Sequence, residues 1–199
     1  LSLSVHPSHG PIGAHDYRII KNLHITHVVN ATAEISDAFP GVLRYLWLRL
    51  SDDAQQDLRQ ALPEASRFIA EALRGAPGGR VLVHCSLGRS RSSVLTLGFL
   101  MEHRRWSLLH AFRWLKERRA CAAPNAGFLQ QLSDYEELLF GHRAINCHYN
   151  TNVCRCVSIV LWFHKQTEKV LLKIFYSSAL IWKARAAFRI ESENLLTLR

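Results

Sequence analysis

A chain of 199 residues with 48% hydrophobic and 10% aromatic side chains has room for one ordinary domain and the apolar content for a core, which excludes disorder throughout. Its formal charge of +9 fits a phosphorylated partner, an anionic membrane surface or nucleic acid, although a basic soluble surface is the plainer expectation. No apolar run reaches the ~20 residues of a membrane span. The cysteines (Cys85, Cys121, Cys147, Cys154 and Cys156) are odd in number and lack the spacing of a disulfide framework, so a reducing cytoplasmic or nuclear setting is expected. Leu1 opens the chain without a basic-then-apolar leader; the expectation is no secretory signal and an incomplete start.

Residues 1–15 carry Pro7, Gly10, Pro11 and Gly13 and read as an irregular segment. The pattern then predicts a short helix over 17–23, a buried strand over 25–30 and a second β segment over 43–48. Leu58, Leu62, Ala65, Phe68, Ile69 and Leu73 recur at helical spacing, which predicts a helix over 56–73, ended by Gly75, Pro77, Gly78 and Gly79. A strand over 80–84 follows. The mostly apolar stretch 92–103 reads as a buried central helix. Ser107 stands where it caps a helix with Leu108, Leu109, Ala111, Phe112 and Leu115 on one face, and Pro124 interrupts the pattern. A last helix over 127–141 puts Phe128, Leu132, Tyr135 and Leu139 on one stripe. This alternation predicts an α/β fold with a central, mostly parallel sheet flanked by helices.

Beyond Arg143 the turn punctuation stops. Residues 145–199 hold net +5 against +4 for residues 1–143, and contain two apolar stretches, 157–163 and 170–182. The division is an irregular segment 1–15, a folded domain 16–143 and a basic extension 144–199. That extension packs as an accessory piece, stays partly disordered, or makes a weak membrane-surface contact. Cys147, His148, Cys154 and Cys156 lack the two-by-two ligand spacing of a zinc site, so no metal or other cofactor is expected.

Chemistry concentrates in one interval. Five residues separate Cys85 from Arg91, and an apolar run leads into them. With a strand before and a helix starting near Ser90, the loop formed by Ser86, Leu87, Gly88, Arg89, Ser90 and Arg91 can curl so that its backbone N–H groups converge on one anion. Those amides and the positive end of the helix dipole stabilise a thiolate at Cys85. Arg91 adds a planar fork that can take two phosphate oxygens and stabilise a pentacoordinate transition state.

The run His84-Cys85-Ser86-Leu87-Gly88-Arg89-Ser90-Arg91-Ser92 resembles the signature loop of cysteine-dependent protein phosphatases, His-Cys-x-x-Gly-x-x-Arg-Ser/Thr. The Gly-x-Ser-Arg-Ser form, with the segments Ile25 to Asn30, Tyr45 to Leu48 and Pro124 to Leu129, is similar to atypical dual-specificity phosphatases. The resemblance covers about residues 12–142. It implies a two-step reaction on phosphotyrosine, and on phosphoserine and phosphothreonine, through a phosphocysteine formed on Cys85. It implies Asp52 as general acid, with Asp53 as the adjacent alternative; Ser51-Asp52 could instead cap the following helix. Ser92 would donate to the Cys85 sulfur as it leaves, or serve only as a first-turn residue. His84 would orient the loop, or be a core histidine. Asn125 would support the loop from outside, or cap the next helix. Arg89 would favour acidic substrates, or be a solvated charge.

Phosphorylated proteins are the partners so implied, with no nucleic acid, and no oligomeric state is set. Two other classes stand beside this one: a phosphate-binding adaptor of little turnover, and a phosphatase for RNA 5′-phosphate, phosphoinositide or glycan. The stretch before Tyr17 lacks the Leu-Tyr-Leu-Gly type edge strand of the family, and Ala120 replaces a frequent proline. Both departures predict a less well supported fold.

Overall fold

The computed structural model describes residues 12–75, 79–143, 159–164 and 169–174. It is an α/β fold whose sheet has the order β2-β1-β3-β4-β5, with β1 (His27–Thr32), β2 (Arg44–Leu50), β3 (Arg80–His84), β4 (Ile159–His164) and β5 (Lys169–Ile174). The three strands of the catalytic domain run parallel, β1 pairing with β2 on one side and β3 on the other. Parallel strands buried on both faces read as continuous apolar runs, and Val28, Val29 and Ala31 in β1 and Val81, Leu82 and Val83 in β3 are all buried.

Alternation within the strands feeds two cores. Val29, Ala31, Val81 and Val83 face helices α3 (Ala61–Arg74), α4 (Arg91–Arg104), α5 (Leu108–Arg118) and α6 (Ala126–Phe140), whose Ile69, Leu97, Leu115 and Phe128 complete the larger core. Val28 and Leu82 face the other way, onto Ile19, Ile20 and Leu23 of the α2 (Tyr17–Asn22) region. α4 is buried along its length from Arg91 to Met101, with Ser92, Ser93 and Thr96 enclosed among its apolar side chains.

The structure departs from the sequence expectations at two places. Within the stretch expected to be irregular, Ile12–His15 forms one helical turn, α1; Ala14 is buried there, and Asp16 caps α2 by accepting from the Arg18 amide at 2.9 Å. α3 begins at Ala61 rather than residue 56. Pro63 explains this, since it is tolerated in the first turn, where its missing N–H has no intrahelical partner, but not further in. Leu58, which fitted the helical spacing, is instead a fully buried loop residue whose amide donates to Gln131 Oε1 at 2.8 Å. Two segments of the basic extension join the sheet, β4 antiparallel to β3 and β5 antiparallel to β4, so β3 has a partner on each side. Cys147, His148, Cys154 and Cys156 lie outside the described residues.

Candidate active site

Ligand sites of parallel α/β sheets form beyond the carboxyl ends of the strands. Here three neighbouring strands each deliver one functional group to that edge: β2 leads to Asp52, β1 to Glu34 and β3 to Cys85. The loop from Cys85 joins β3 directly to α4, as the spacing predicted.

The thiol is buried, 3% exposed. Gly88 N–H donates to Cys85 Sγ at 3.2 Å, and Ser92 Oγ lies 3.4 Å from the same sulfur. Gly88 has φ +62, a left-handed conformation that glycine adopts without the Cβ penalty and that lets the loop curl. The loop is also gripped from behind. Arg119, fully buried, donates from Nε to the Gly88 carbonyl at 2.7 Å, and Ala123 N–H donates to the Arg89 carbonyl at 2.9 Å. In a trans peptide the carbonyl and the next residue's N–H point opposite ways. Holding the Gly88 and Arg89 carbonyls outward therefore turns the amides of Arg89 and Ser90 the opposite way, into the curl of the loop.

Arg91 is 6% exposed and heavily engaged. Nη1 donates to Glu34 Oε2 and to the Leu50 carbonyl, each at 3.0 Å; Nη2 donates to Glu34 Oε1 at 3.1 Å and Ser86 Oγ at 2.7 Å. Ser86 hydroxyl also donates to Glu34. Nε is buried without a hydrogen-bond acceptor and lies 4.0 Å from Asp52 Oδ2. The fork is thus held at its far end by Glu34, and Nε is its donor without an acceptor. The hydrogen bonds from Arg91 lower the Glu34 carboxyl to about 2, against the opposing effect of burial and with Ser86 adding to the shift.

Asp52 caps no helix: α3 starts at residue 61, with Gln60 as its N-cap. Its Oδ1 accepts from Asn125 Nδ2 at 3.1 Å, whereas Asp53 Oδ1 only closes a turn with the Gln55 amide at 2.8 Å. Asn125 makes two further contacts. Its side chain caps α6 by accepting from Phe128 N–H at 2.9 Å, and its own amide donates to Ser90 Oγ at 3.1 Å, supporting the loop. Ser92 lies in the first turn of α4 and against the sulfur as well.

His84 is 2% exposed with Nδ1 unpartnered. Burial lowers it to about 4, with the charges of His15 and Arg91 acting in the same direction, so it is neutral at pH 7. Leu87 is 58% exposed on the rim and Arg89 is half-buried. Among the described residues no cluster of three His, Cys, Asp or Glu side chains is placed to hold a metal ion. Glu34 and Arg119 escaped the sequence reading. Glu34 follows the end of β1, and the rule for strand carboxyl ends marks that position; nothing local distinguishes Arg119 from the neighbouring basic residues.

A parallel sheet that brings a thiol, a guanidinium and a carboxylate to one point defines the site of a cysteine-dependent phosphatase. Comparison with known proteins gives the family. Residues 12–138 match Dual specificity phosphatase, catalytic domain, and the chain belongs to that family. It is 40% identical over 115 residues to Protein phosphatase Slingshot homolog of Xenopus laevis, covering 58% of this chain and 16% of that protein. It is 38% identical over 117 residues to Dual specificity protein phosphatase 5 of Rattus norvegicus, covering 59% of this chain and 30% of that protein. The crystal structure of human DUSP28 superposes with a TM-score of 0.62 at 31% identity, over 69% of this chain and 97% of that one. The chain spans less than a third of the length of these two curated relatives.

Proposed function

We propose that this protein hydrolyses phosphate monoesters on protein side chains, phosphotyrosine and also phosphoserine and phosphothreonine, through a phosphocysteine. One observation carries the reading: the Gly88 amide of the curled loop donates to the Cys85 sulfur, and Arg91 at the end of that loop has Asp52 4.0 Å from its Nε. The Cys85 thiolate attacks phosphorus, the ester P–O bond breaks, and Asp52 gives its proton to the departing oxygen. Water then attacks the phosphocysteine, Asp52 takes a proton from it, and the S–P bond breaks to regenerate the thiolate. The Ser92 hydroxyl donates to the sulfur as it leaves. Throughout, the loop amides and Arg91 hold the phosphoryl oxygens, and Glu34 fixes the orientation of the guanidinium.

Thiol chemistry of this kind supports a reducing location, cytoplasmic or nuclear. Nucleic acid is not part of the proposed partnership; the charge of residues 145–199 supports a weak membrane-surface contact. The test is hydrolysis of an aryl phosphate and of phosphotyrosine and phosphothreonine peptides by folded wild type and Cys85→Ser. Turnover by wild type and none by the variant is expected; a folded wild type that releases no phosphate overturns the reading.

A further inference from the structure

Arg49 stands out at the end of β2. Among the described residues it is one of three non-glycine residues with positive φ, at +51, a conformation that costs a side-chain-bearing residue energy and concentrates at functional sites. The pairing register shows how it arises. Asn30 faces Trp47 and Thr32 faces Leu50, so the single residue Ala31 opposes both Leu48 and Arg49. This is a β-bulge, and bulges re-aim side chains at sheet edges and beside active sites.

What the bulge aims is an exposed guanidinium, held 4.2 Å over the Trp47 ring. The indole is fixed in turn, since its N–H donates to the Thr32 carbonyl at 2.5 Å. Stacking on an anchored ring orients a cation while leaving its in-plane N–H donors free. Among the described residues Arg49 makes no ion pair, although acidic side chains stand near it in the chain. Glu34 is held by Arg91 and Ser86, and Asp52 by Asn125. The next residue, Leu50, gives its carbonyl to Arg91 Nη1. A strained, pre-oriented cation with uncommitted donors therefore stands one residue from the backbone group that fixes the phosphate-binding arginine.

We propose that Arg49, stacked on Trp47, forms a second anion subsite that takes an acidic side chain or a second phosphate flanking the residue to be dephosphorylated. This rests on the peptide-phosphatase reading above and adds a preference to it. Carboxylate and phosphate share the chemistry, a planar or tetrahedral set of oxygens facing a guanidinium fork.

The test uses phosphotyrosine peptides in three forms: neutral flanks, a neighbouring glutamate, and a neighbouring phosphoserine. The kcat/KM ratio of each anionic peptide to the neutral one is measured for wild type, Arg49→Gln and Arg49→Gly. Glycine accommodates the positive φ, so that variant keeps the bulge without the cation. Both substitutions are expected to lower the ratio by about 3- to 10-fold, the scale of one exposed charge-assisted contact, and added salt is expected to lower it in wild type. A drop in the phosphoserine arm alone identifies phosphate as the second group; a drop in both arms identifies any anion. Ratios unchanged in both variants overturn the subsite. Binding of the same peptides to Cys85→Ser, with and without Arg49→Gln, reads the subsite independently of turnover, so failure of the phosphatase reading is distinguishable from failure of this one.

Discussion

The loop bearing the thiol and the loop bearing the acid meet at one site but are held in opposite ways. In the first, Cys85, Gly88, Ser90 and Arg91 are buried, and the geometry is set through backbone groups, with Arg119 and Ala123 on the Gly88 and Arg89 carbonyls. In the second, residues 51–55 are exposed and α6 and the segment before it supply the contacts. Asn125 holds Asp52, Gln131 bonds both the Leu58 amide and the Gln56 carbonyl at 2.8 Å, and Gly127 lets α6 press on residue 54, where a Cβ would come within 2.1 Å of the Ala54 carbonyl oxygen. A change in the buried loop disturbs packing, whereas a change at the exposed Asp52 leaves the core untouched.

Five substitutions or titrations sharpen that contrast. Cys85→Ser is expected to remove turnover by more than about 10⁴-fold, read from aryl phosphate hydrolysis, because nothing else supplies the nucleophile. Asp52→Asn should cost about 10²- to 10⁴-fold on substrates with poor leaving groups while thermal unfolding stays near wild type; the same loss from Asp53→Asn instead would transfer the role. In the buried region the effects appear in stability. His84 is neutral when folded and titrates near its ordinary 6.5 when unfolded, so the unfolded state binds more protons as pH falls. Its contribution is fully present above about pH 6.5 and is lost toward pH 4, about 3 kcal/mol, and denaturant titrations of His84→Gln should lack that window.

Arg119→Met leaves the Gly88 carbonyl without its donor, for about 1–3 kcal/mol of stability. It should also lower kcat/KM on aryl phosphate by about 10-fold, with partial recovery in Arg119→Lys. A loss of stability with kcat/KM intact would make that arginine a core residue and nothing more. The smallest effect belongs to Glu34, which is half exposed. Its carboxyl is lowered when folded, so its contribution is present above about pH 4.5 and lost as pH falls toward 2. Acid unfolding of Glu34→Gln should lack that component.

Much of this was readable along the chain, for reasons that differ by element. α4 and β3 are rich in apolar residues because most of their length is buried, and His84 to Ser92 stands out because one short segment carries the whole motif. Ser107 and Asn125 cap the helices that follow them, each through a side-chain oxygen on an amide three residues on. Where prediction failed, a longer-range term decided. Leu58 matched a helical period, but Pro63 and the Gln131 clamp placed it in a loop. The tail gave no alternation from which its pairing with β3 could be foreseen.

The sequence by itself therefore determined the strand, loop and helix that carry Cys85 and Arg91 and the α/β alternation, because each is written in residues close together and obeys local rules. Only the tertiary structure decided that Glu34 anchors Arg91 from 57 residues away, that Arg119 grips Gly88 from 31, and that Asn125 steadies Asp52 from 73. Those pairings come from the order in which parallel strands lie side by side and from α6 folding back across their ends, and no local pattern records either.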